Sequence, residues 1–579
     1  MNEIHELAII GGGITGLYSA SRVLESAEYA GASVAIIERE REVGGRIATA
    51  EHRDRKTLIA DLAAMRILRS QPLVRDTIRR FGLAADLEAS DHGPTIWRAR
   101  RSWVTAGMQG APSLQICDGN LVSNGRFDQF SLDKQEIGLS PAFLALLGFS
   151  RALARLEFPQ ATSSDLTSKC RRLGGQPLSA LASFTPTEWR TIAAESRLDG
   201  VALWRYSLRG VLERHLSTEA FLLIQSLIGY QSFTGFWNAA EGMPWFIQEF
   251  SLDSPYEKLM GGMQRLPATI AAAHEVSGHS PGGCSFLCDR EATKLTCCDG
   301  YYKIACKDIE TEGDSQSVHA RRILLAMPID WMKRLSLDET FGDARRYFDD
   351  TVRELDNGLV RHSAVKLFIW CRKTWWTDTL AAVKWRLFSD GPIRQCYFES
   401  SDDDLNEDAP SLLMVYVDSD YARHLSDMSE VHGDTDSSSA PEIKLPMRSS
   451  CRQIHAHSLA WLIRSLEQLV PSAARITDHF DAAVIGAWLA PTKASWHCWR
   501  AGSKPWELRD RGLSPLGTEH AIHYASESIG VDQAWLEGGL RSAERALRLG
   551  FGIDTPCSNE LQASLQAMGF RDLDEYIGY

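Results

Sequence analysis

Three glycines at the spacing G-x-G-x-x-G, Gly11, Gly13 and Gly16, follow directly on the apolar run Leu7-Ala8-Ile9-Ile10. With the helical pattern from Leu17 to about Ser26 they read as strand, tight turn and helix. Gly11 permits the turn, Gly13 lets a pyrophosphate approach the backbone, and Gly16 lets helix and strand pack closely. Ile14 and Thr15 then fall at a helix N-terminus, where unpaired N–H groups and the dipole favour phosphate. A second apolar run, Ser33-Val34-Ala35-Ile36-Ile37, ends at Glu38. A carboxylate about 20 positions beyond the glycines accepts hydrogen bonds from a ribose and argues against a 2′-phosphate. The alternative is a glycine-rich turn in an unrelated α/β protein; strand, spacing and acid together weigh against it.

The residues after Glu38 read Arg39-Glu40-Arg41-Glu42-Val43-Gly44-Gly45-Arg46. This segment resembles the flavin-containing amine oxidase family, in which Gly-Gly-Arg closes over the pyrophosphate of FAD. The resemblance implies FAD contacts at Arg39, Gly45 and Arg46; a surface charge is the alternative for Arg46. Asp61-Leu62-Ala63-Ala64-Met65-Arg66 is similar to the L-amino-acid oxidase branch, which has Leu-Gly-x-Met-Arg there. That likeness implies Ala64 and Met65 beside the cofactor and Arg66 as anchor of a substrate carboxylate, a task that suits a planar guanidinium fork. Ala63 departs from the family glycine. A structural salt bridge is the alternative for Arg66.

Lys366 lies in the apolar run Ala364-Val365-Lys366-Leu367-Phe368-Ile369-Trp370. A lysine inside such a strand costs desolvation and needs a function or a partner, unless it stands on an exposed strand face. The run resembles the family strand whose lysine holds a water against flavin N5. Pro392–Phe398 and Met414–Asp420 look like a bacterial subgroup, the tryptophan oxidases of violacein biosynthesis. That likeness makes Tyr397 a second carboxylate donor; a packed core tyrosine is equally compatible. Near the end, Ser526-Glu527 and Asp532-Gln533-Ala534-Trp535-Leu536 resemble the closing family motif, Gly-Glu, a loop, Gly-Trp and a helix. It implies that Glu527 binds the cofactor, that Gln533, Ala534 and Leu536 flank it, and that Trp535 walls its reactive face. The helix from about Leu536 would aim N–H groups at the flavin pyrimidine. No cysteine lies in this motif, so the FAD is expected to be non-covalent.

The resemblance as a whole implies oxidative deamination of an L-α-amino acid, aromatic side chains weakly favoured. Arg66, Tyr397, Lys366 and Trp535 are the catalytic set, with dioxygen as acceptor and hydrogen peroxide as product. Three alternatives stay open: a flavin monooxygenase giving an amide, an amine oxidase or desaturase without a carboxylate substrate, and a flavin-free binding protein like the GDP-dissociation inhibitors.

These residues need an α/β frame. The expected fold is a Rossmann-like FAD domain built from 1–65, 258–328 and 480–579. A mixed-sheet substrate domain comprises 66–132 and 329–479, and a helical subdomain 133–257. A polar stretch within 425–448, Asp434-Thr435-Asp436-Ser437-Ser438-Ser439-Ala440-Pro441, reads as a mobile insertion. The 579 residues and 44% hydrophobic content suffice for a large core, and a net charge of −13 disfavours nucleic acid and anionic membranes. The first strand starts too early for a signal peptide and no apolar run spans a bilayer, so a cytoplasmic protein is expected, as a possible homodimer. The 12 cysteines lack framework spacing. Cys284, Cys288, Cys297 and Cys298 have no histidine pair to complete a zinc pattern, and His455 and His457 fall on different helix faces, so no metal is expected. Trp488, Trp496 and Trp499 cluster, either lining an aromatic pocket or packing in a core.

Overall fold

The computed structural model describes residues 4–578, apart from 30, 91–92, 94, 100–101, 107–113, 118–119, 124–126, 128, 160–162, 176–177, 251–255, 276–281, 312, 314–316, 378–382, 403, 405, 431–441, 455, 471, 473 and 555–556. The runs that read as continuously apolar become parallel strands buried on both faces. Ile4–Ile10 lies between Val34–Ile37 and Val318–Leu325, parallel to both, and Cys284–Leu287 pairs with the outer side of Val34–Ile37. Val318–Leu325 changes partner along its length. Its first half pairs antiparallel with Tyr301–Asp308 and its last residues pair parallel with Ile522–Tyr524. The carboxyl ends of four parallel strands, at Ile10, Ile37, Leu325 and Tyr524, therefore meet along one edge, where ligands of open α/β sheets bind.

The helix after the first strand spans Ile14–Glu25, three residues earlier than its apolar pattern suggests, because Gly13 in extended conformation serves as its N-cap. A Cβ on Gly16 would lie 2.1 Å from the Gly11 carbonyl oxygen, so only glycine permits this close turn. Helix Leu536–Arg545 packs on Ile14–Glu25 with equal intimacy: a Cβ on Gly539 would meet Thr15 Oγ1 at 2.6 Å. Buried Glu544 ties the pair by accepting from Tyr18 Oη at 2.7 Å and Arg22 Nε at 2.6 Å.

A second, ten-stranded sheet has Gln395–Ser400, Ser411–Asp418, Ala364–Cys371 and Phe480–Trp488 as antiparallel neighbours. All eight residues of Ala364–Cys371 are buried. Val365, Leu367 and Ile369 face one core, while Phe368 and Trp370 face another that holds Leu62, Tyr397 and Met414. Lys366 shares the parity of Phe368 and so points to that second face. Opposite Lys366 stands Gly486, whose missing side chain matters: a Cβ there would lie 2.4 Å from the Leu62 carbonyl oxygen. The 61–66 segment thus rests directly on the sheet.

The stretch expected to be helical contains Pro141–Leu153, Leu208–His215, Thr218–Leu227 and Ala239–Phe250. Ser140, Ser207 and Ser217 cap the first three with side-chain hydrogen bonds. Their apolar faces share one core that also takes in Trp496.

The expected insertion is more structured at its ends than its composition suggests. Helix Ser419–Glu430 runs into it with Leu425 buried, Ile443–Lys444 pairs with Thr49–His52, and Arg448 is buried. Asp434–Pro441 lies outside the described residues, as does His455. Among the described residues no disulfide forms, and no helix is long and apolar enough to cross a membrane.

Candidate active site

One cavity is bounded by the carboxyl edge of the parallel sheet, the Lys366 face of the second sheet and the helical layer. At the sheet edge it is lined by Gly11, Gly13, Ile14, Thr15, Glu38, Arg39, Gly45 and Arg46. Gly11 has φ +115°, and a Cβ on it would strike the Ala326 carbonyl oxygen at 2.5 Å. Gly13 has only Gly45 Cα near its missing side chain, at 3.8 Å, which leaves the backbone bare toward the cavity. Glu38 accepts from Gly12 N at 2.7 Å and Glu40 N at 2.8 Å. Burial raises its carboxyl above the usual range, against those two N–H donors.

Two helices begin at this cavity without side-chain caps, Ile14–Glu25 at Gly13 and Leu536–Arg545 at Trp535. Their first N–H groups have no side-chain partner among the described residues and carry the positive ends of two dipoles. Such a pair suits a ligand with one anionic group and a second centre that gains negative charge. The same donor set fits FAD: glycine backbone and helix dipole for the pyrophosphate, Glu38 for the ribose, and the second helix for the flavin ring.

Glu527 knits three chain segments together. Its Oε1 accepts from His497 N at 3.0 Å and Ala534 N at 2.9 Å; its Oε2 meets both Arg46 Nη atoms at 3.1 Å and His497 Nδ1 at 3.1 Å. Burial alone would raise its carboxyl, but Arg46, His497 and the Ala534 N–H outweigh it and hold it near 2. Ser526 sits in extended backbone at φ −161°, so replacing the family glycine there costs no strain. Ala534 does not escape so lightly: its φ is +70°. An L-residue in that region is strained by about 1 kcal/mol, held by the N–H bond to Glu527. Ala534→Gly is therefore expected to raise unfolding free energy by about 0.5–1 kcal/mol in a denaturant titration.

Lys366 donates to the Ala63 carbonyl oxygen, and its ammonium stands 5.0 Å from the centre of the Tyr416 ring. Burial pushes its pKa well down, partly offset by Asp61 and reinforced by Arg66. Asp61 is raised by burial, against hydrogen bonds from Thr49 Oγ1 and Met263 N. Ala63, like Ser526, adopts no left-handed backbone, so its methyl group is accommodated without strain.

Arg66 is buried with its guanidinium carbon 3.8 Å from the centre of the Tyr256 ring. Its Nη2 donates to Glu249 Oε1 at 3.3 Å, and the same oxygen accepts from Tyr256 Oη at 2.6 Å. The alternative weighed for Arg66, a structural salt bridge, is thus present, yet both partners line the cavity. An aromatic belt runs from here: Tyr256–Trp535 at 6.5 Å, Trp535–Trp245 at 6.4 Å, Trp245–Phe233 at 5.4 Å, Phe233–Tyr230 at 4.8 Å and Tyr230–Tyr416 at 5.4 Å.

Of the residues expected at the site, Ala64, Met65, Arg66, Lys366, Glu527, Ala534, Trp535 and Leu536 also line the cavity. Three do not. Gly16 lies beneath the turn. Gln533 is buried behind it, accepting from Trp499 N at 2.9 Å and donating to the Ser528 carbonyl at 2.6 Å. Tyr397 is packed among Phe368, Trp370 and Met414 and donates its hydroxyl to Gln395 Oε1 at 3.0 Å. It is nonetheless one of the groups whose field bears on the Arg66 guanidinium, while Tyr230 and Tyr416 line the cavity itself. Of the three tryptophans, Trp488 and Trp496 line the cavity and Trp499 is core. Sequence reasoning treated the helical stretch as packing alone and so missed Tyr230, Phe233, Trp245 and Glu249. A signal was present: Glu249 follows Trp245 by four residues, which puts a carboxylate on the apolar face of a helix. Away from the cavity, His52, Glu442 and Asp481 could together approach a metal ion, but Arg55 Nη2 stands 2.6 Å from Asp481 Oδ2 and supplies the opposing charge itself.

Structures of putrescine oxidase share the fold. An engineered double mutant aligns at TM-score 0.59 and 14% identity, covering 95% of this chain and 100% of that one. A single mutant aligns at 0.60 and 14%, covering 96% and 100%. The wild-type enzyme bound to putrescine aligns at 0.52 and 15%, covering 95% and 99%. No curated protein matches the chain in sequence. Residues 14–432 match the sequence family described as flavin-containing amine oxidoreductase. The chain belongs to that family, and its cofactor is FAD.

Proposed function

We propose that this flavoprotein is an L-amino-acid oxidase that converts an L-α-amino acid to its imino acid, with hydrolysis to a 2-oxo acid and ammonia and with dioxygen as acceptor. The observation that carries the reading is Arg66, a buried guanidinium that opens onto an aromatic cavity shared with the glycine cradle. Bound FAD supplies the hydride acceptor and, through dioxygen, its own reoxidation. The chain supplies binding, orientation and exclusion of water. Arg66 takes the substrate carboxylate in its planar fork. Trp535, Trp245, Phe233 and Tyr230 wall the substrate and keep water out, which strengthens that ionic contact. The amine must arrive neutral, since an ammonium has no lone pair to assist cleavage of the Cα–H bond. Lys366, buried and depressed, holds its proton loosely and can position a water beside the Ala63 carbonyl. Lys366→Met is expected to slow the half-reaction with dioxygen about 100-fold, the scale of a lost proton-transfer group, and to leave the half-reaction with substrate within about threefold; stopped-flow absorbance separates the two.

A second reading is favoured by one contact. Because Glu249 already pairs with Arg66, a substrate without a carboxylate can enter with that pair intact. This would make the chain an oxidase of simple amines, such as the putrescine held by one of its structural neighbours. Anaerobic mixing of the purified holoenzyme with L-amino acids and with amines, watching the visible flavin band, decides between them. Bleaching by a group of amino acids and by no amine supports the first reading; the reverse pattern rejects it.

A further inference from the structure

We infer that Glu249 binds the substrate carboxylate jointly with Arg66 as a neutral carboxylic acid, donating from Oε2, so that substrate binding takes up one proton. The inference rests on the carboxylate-bearing substrate proposed above.

The geometry of the carboxyl group points this way. Its two oxygens are unequally used. Oε1 accepts from both Arg66 and Tyr256, while Oε2 is buried in the cavity wall with no hydrogen-bond partner among the described residues. The side chain is only 3% exposed. A buried polar atom without a partner costs free energy unless something arrives to satisfy it. If Oε2 carries a proton it becomes a donor, and a carboxylate is what a donor beside a guanidinium would meet.

Charge leads to the same conclusion. A substrate carboxylate on Arg66 brings a second anion to a guanidinium that one carboxylate already neutralises. In an enclosure of aromatic rings, two ionised carboxylates on one cation leave an uncompensated negative charge, and the group that can shed it by protonation does so. The remaining groups facing Glu249 cannot absorb that charge. Tyr256, Tyr230 and Tyr416 are phenols whose pKa values burial pushes up further. Beyond Arg66, Lys366 is already matched by Asp61. Burial raises Glu249 even before a ligand enters, with Arg66 and the Tyr256 hydroxyl opposing.

The test uses the FAD holoenzyme and benzoate, a carboxylate that cannot be deaminated, with binding read from the shift of the flavin band. Across the pH range in which the holoenzyme stays folded, the benzoate Kd should rise tenfold per pH unit above the point at which Glu249 ionises in the free enzyme. Calorimetry in buffers of different protonation heat should show uptake of one proton. Glu249→Gln keeps a donor and an acceptor but cannot titrate, so its benzoate Kd should be flat. Tyr256→Phe removes a hydrogen bond that favours ionised Glu249, so the break in Kd should move to higher pH. A flat wild-type Kd with no proton uptake overturns the inference alone. So does a slope that survives in Glu249→Gln, which makes Lys366 or Asp61 the titrating group. Absence of benzoate binding at any pH, with benzylamine binding instead, overturns the carboxylate reading itself.

Discussion

Truncating Arg66 to alanine is expected to raise the KM for an L-α-amino acid by about 100- to 1000-fold, the 3–4 kcal/mol scale of a desolvated guanidinium–carboxylate contact. It should also destabilise the fold, through Glu249 rather than through Arg66. Without the guanidinium, Glu249 keeps only the Tyr256 hydroxyl in a buried setting. Burial then raises its pKa further, because the guanidinium that opposed the shift is gone. A carboxyl group whose folded pKa is raised stabilises the fold least at high pH. The loss should therefore be greatest at high pH, on the scale of about 3 kcal/mol for a broken buried ion pair, and fade as the pH drops toward about 4.5, where the unfolded chain is protonated too. Adding Glu249→Ala removes the stranded group. The double variant should regain most of the stability in a denaturant titration while KM stays high, a non-additivity that marks direct contact. If Arg66→Ala leaves amino-acid KM unchanged, the carboxylate anchor lies elsewhere.

The second large effect concerns Glu527. Its folded pKa is depressed to about 2, so it contributes stability that is present above about pH 4.5 and lost as the pH falls from there toward 2. The linkage amounts to about 3 kcal/mol at neutral pH. Glu527→Gln preserves shape but removes the charge that Arg46 and His497 share. The variant should be less stable by about 2–3 kcal/mol at pH 7, and its stability should lose the steep acid limb of the parent. Because Glu527 also fixes Ala534 N at the start of the Leu536–Arg545 helix, the variant should release FAD more readily. Flavin retained after gel filtration measures this. A variant with parental acid sensitivity and full flavin content would assign the depressed group elsewhere.

How far the sequence disclosed this molecule depended on whether one residue type could do the job alone. Gly11 and Gly16 were legible because the turn leaves no room for a Cβ, and Gly13 because a pyrophosphate needs its bare backbone. Lys366 was legible because a lysine in an apolar strand contradicts its surroundings. Arg66 was legible only through a family likeness, and although Glu249 stood out on its helix, its pairing with Arg66 was not legible. Glu249 comes from a helix 183 positions away, and no local pattern says which helical face meets which strand. Tyr397 shows a different limit. Its side chain shares the core face of the second sheet with Phe368 and Trp370, yet a face is not a depth, and its hydroxyl is donated to Gln395, two residues earlier on the same strand. Gly486 was invisible for the same reason, since its role is a close approach to Leu62 across the chain.

The partner change of Val318–Leu325 has a consequence for biosynthesis. Its first half can pair as soon as it emerges, since Tyr301–Asp308 precedes it, but its last residues wait for Ile522–Tyr524, some 200 positions later. The floor of the cofactor cavity therefore stays an open strand edge through much of translation. At about 5–20 residues per second that exposure lasts about 10–40 s, long enough for nascent chains to aggregate through the unpaired edge. Growth at lower temperature and an ample supply of the flavin precursor should raise the soluble yield more than changes to the surface would.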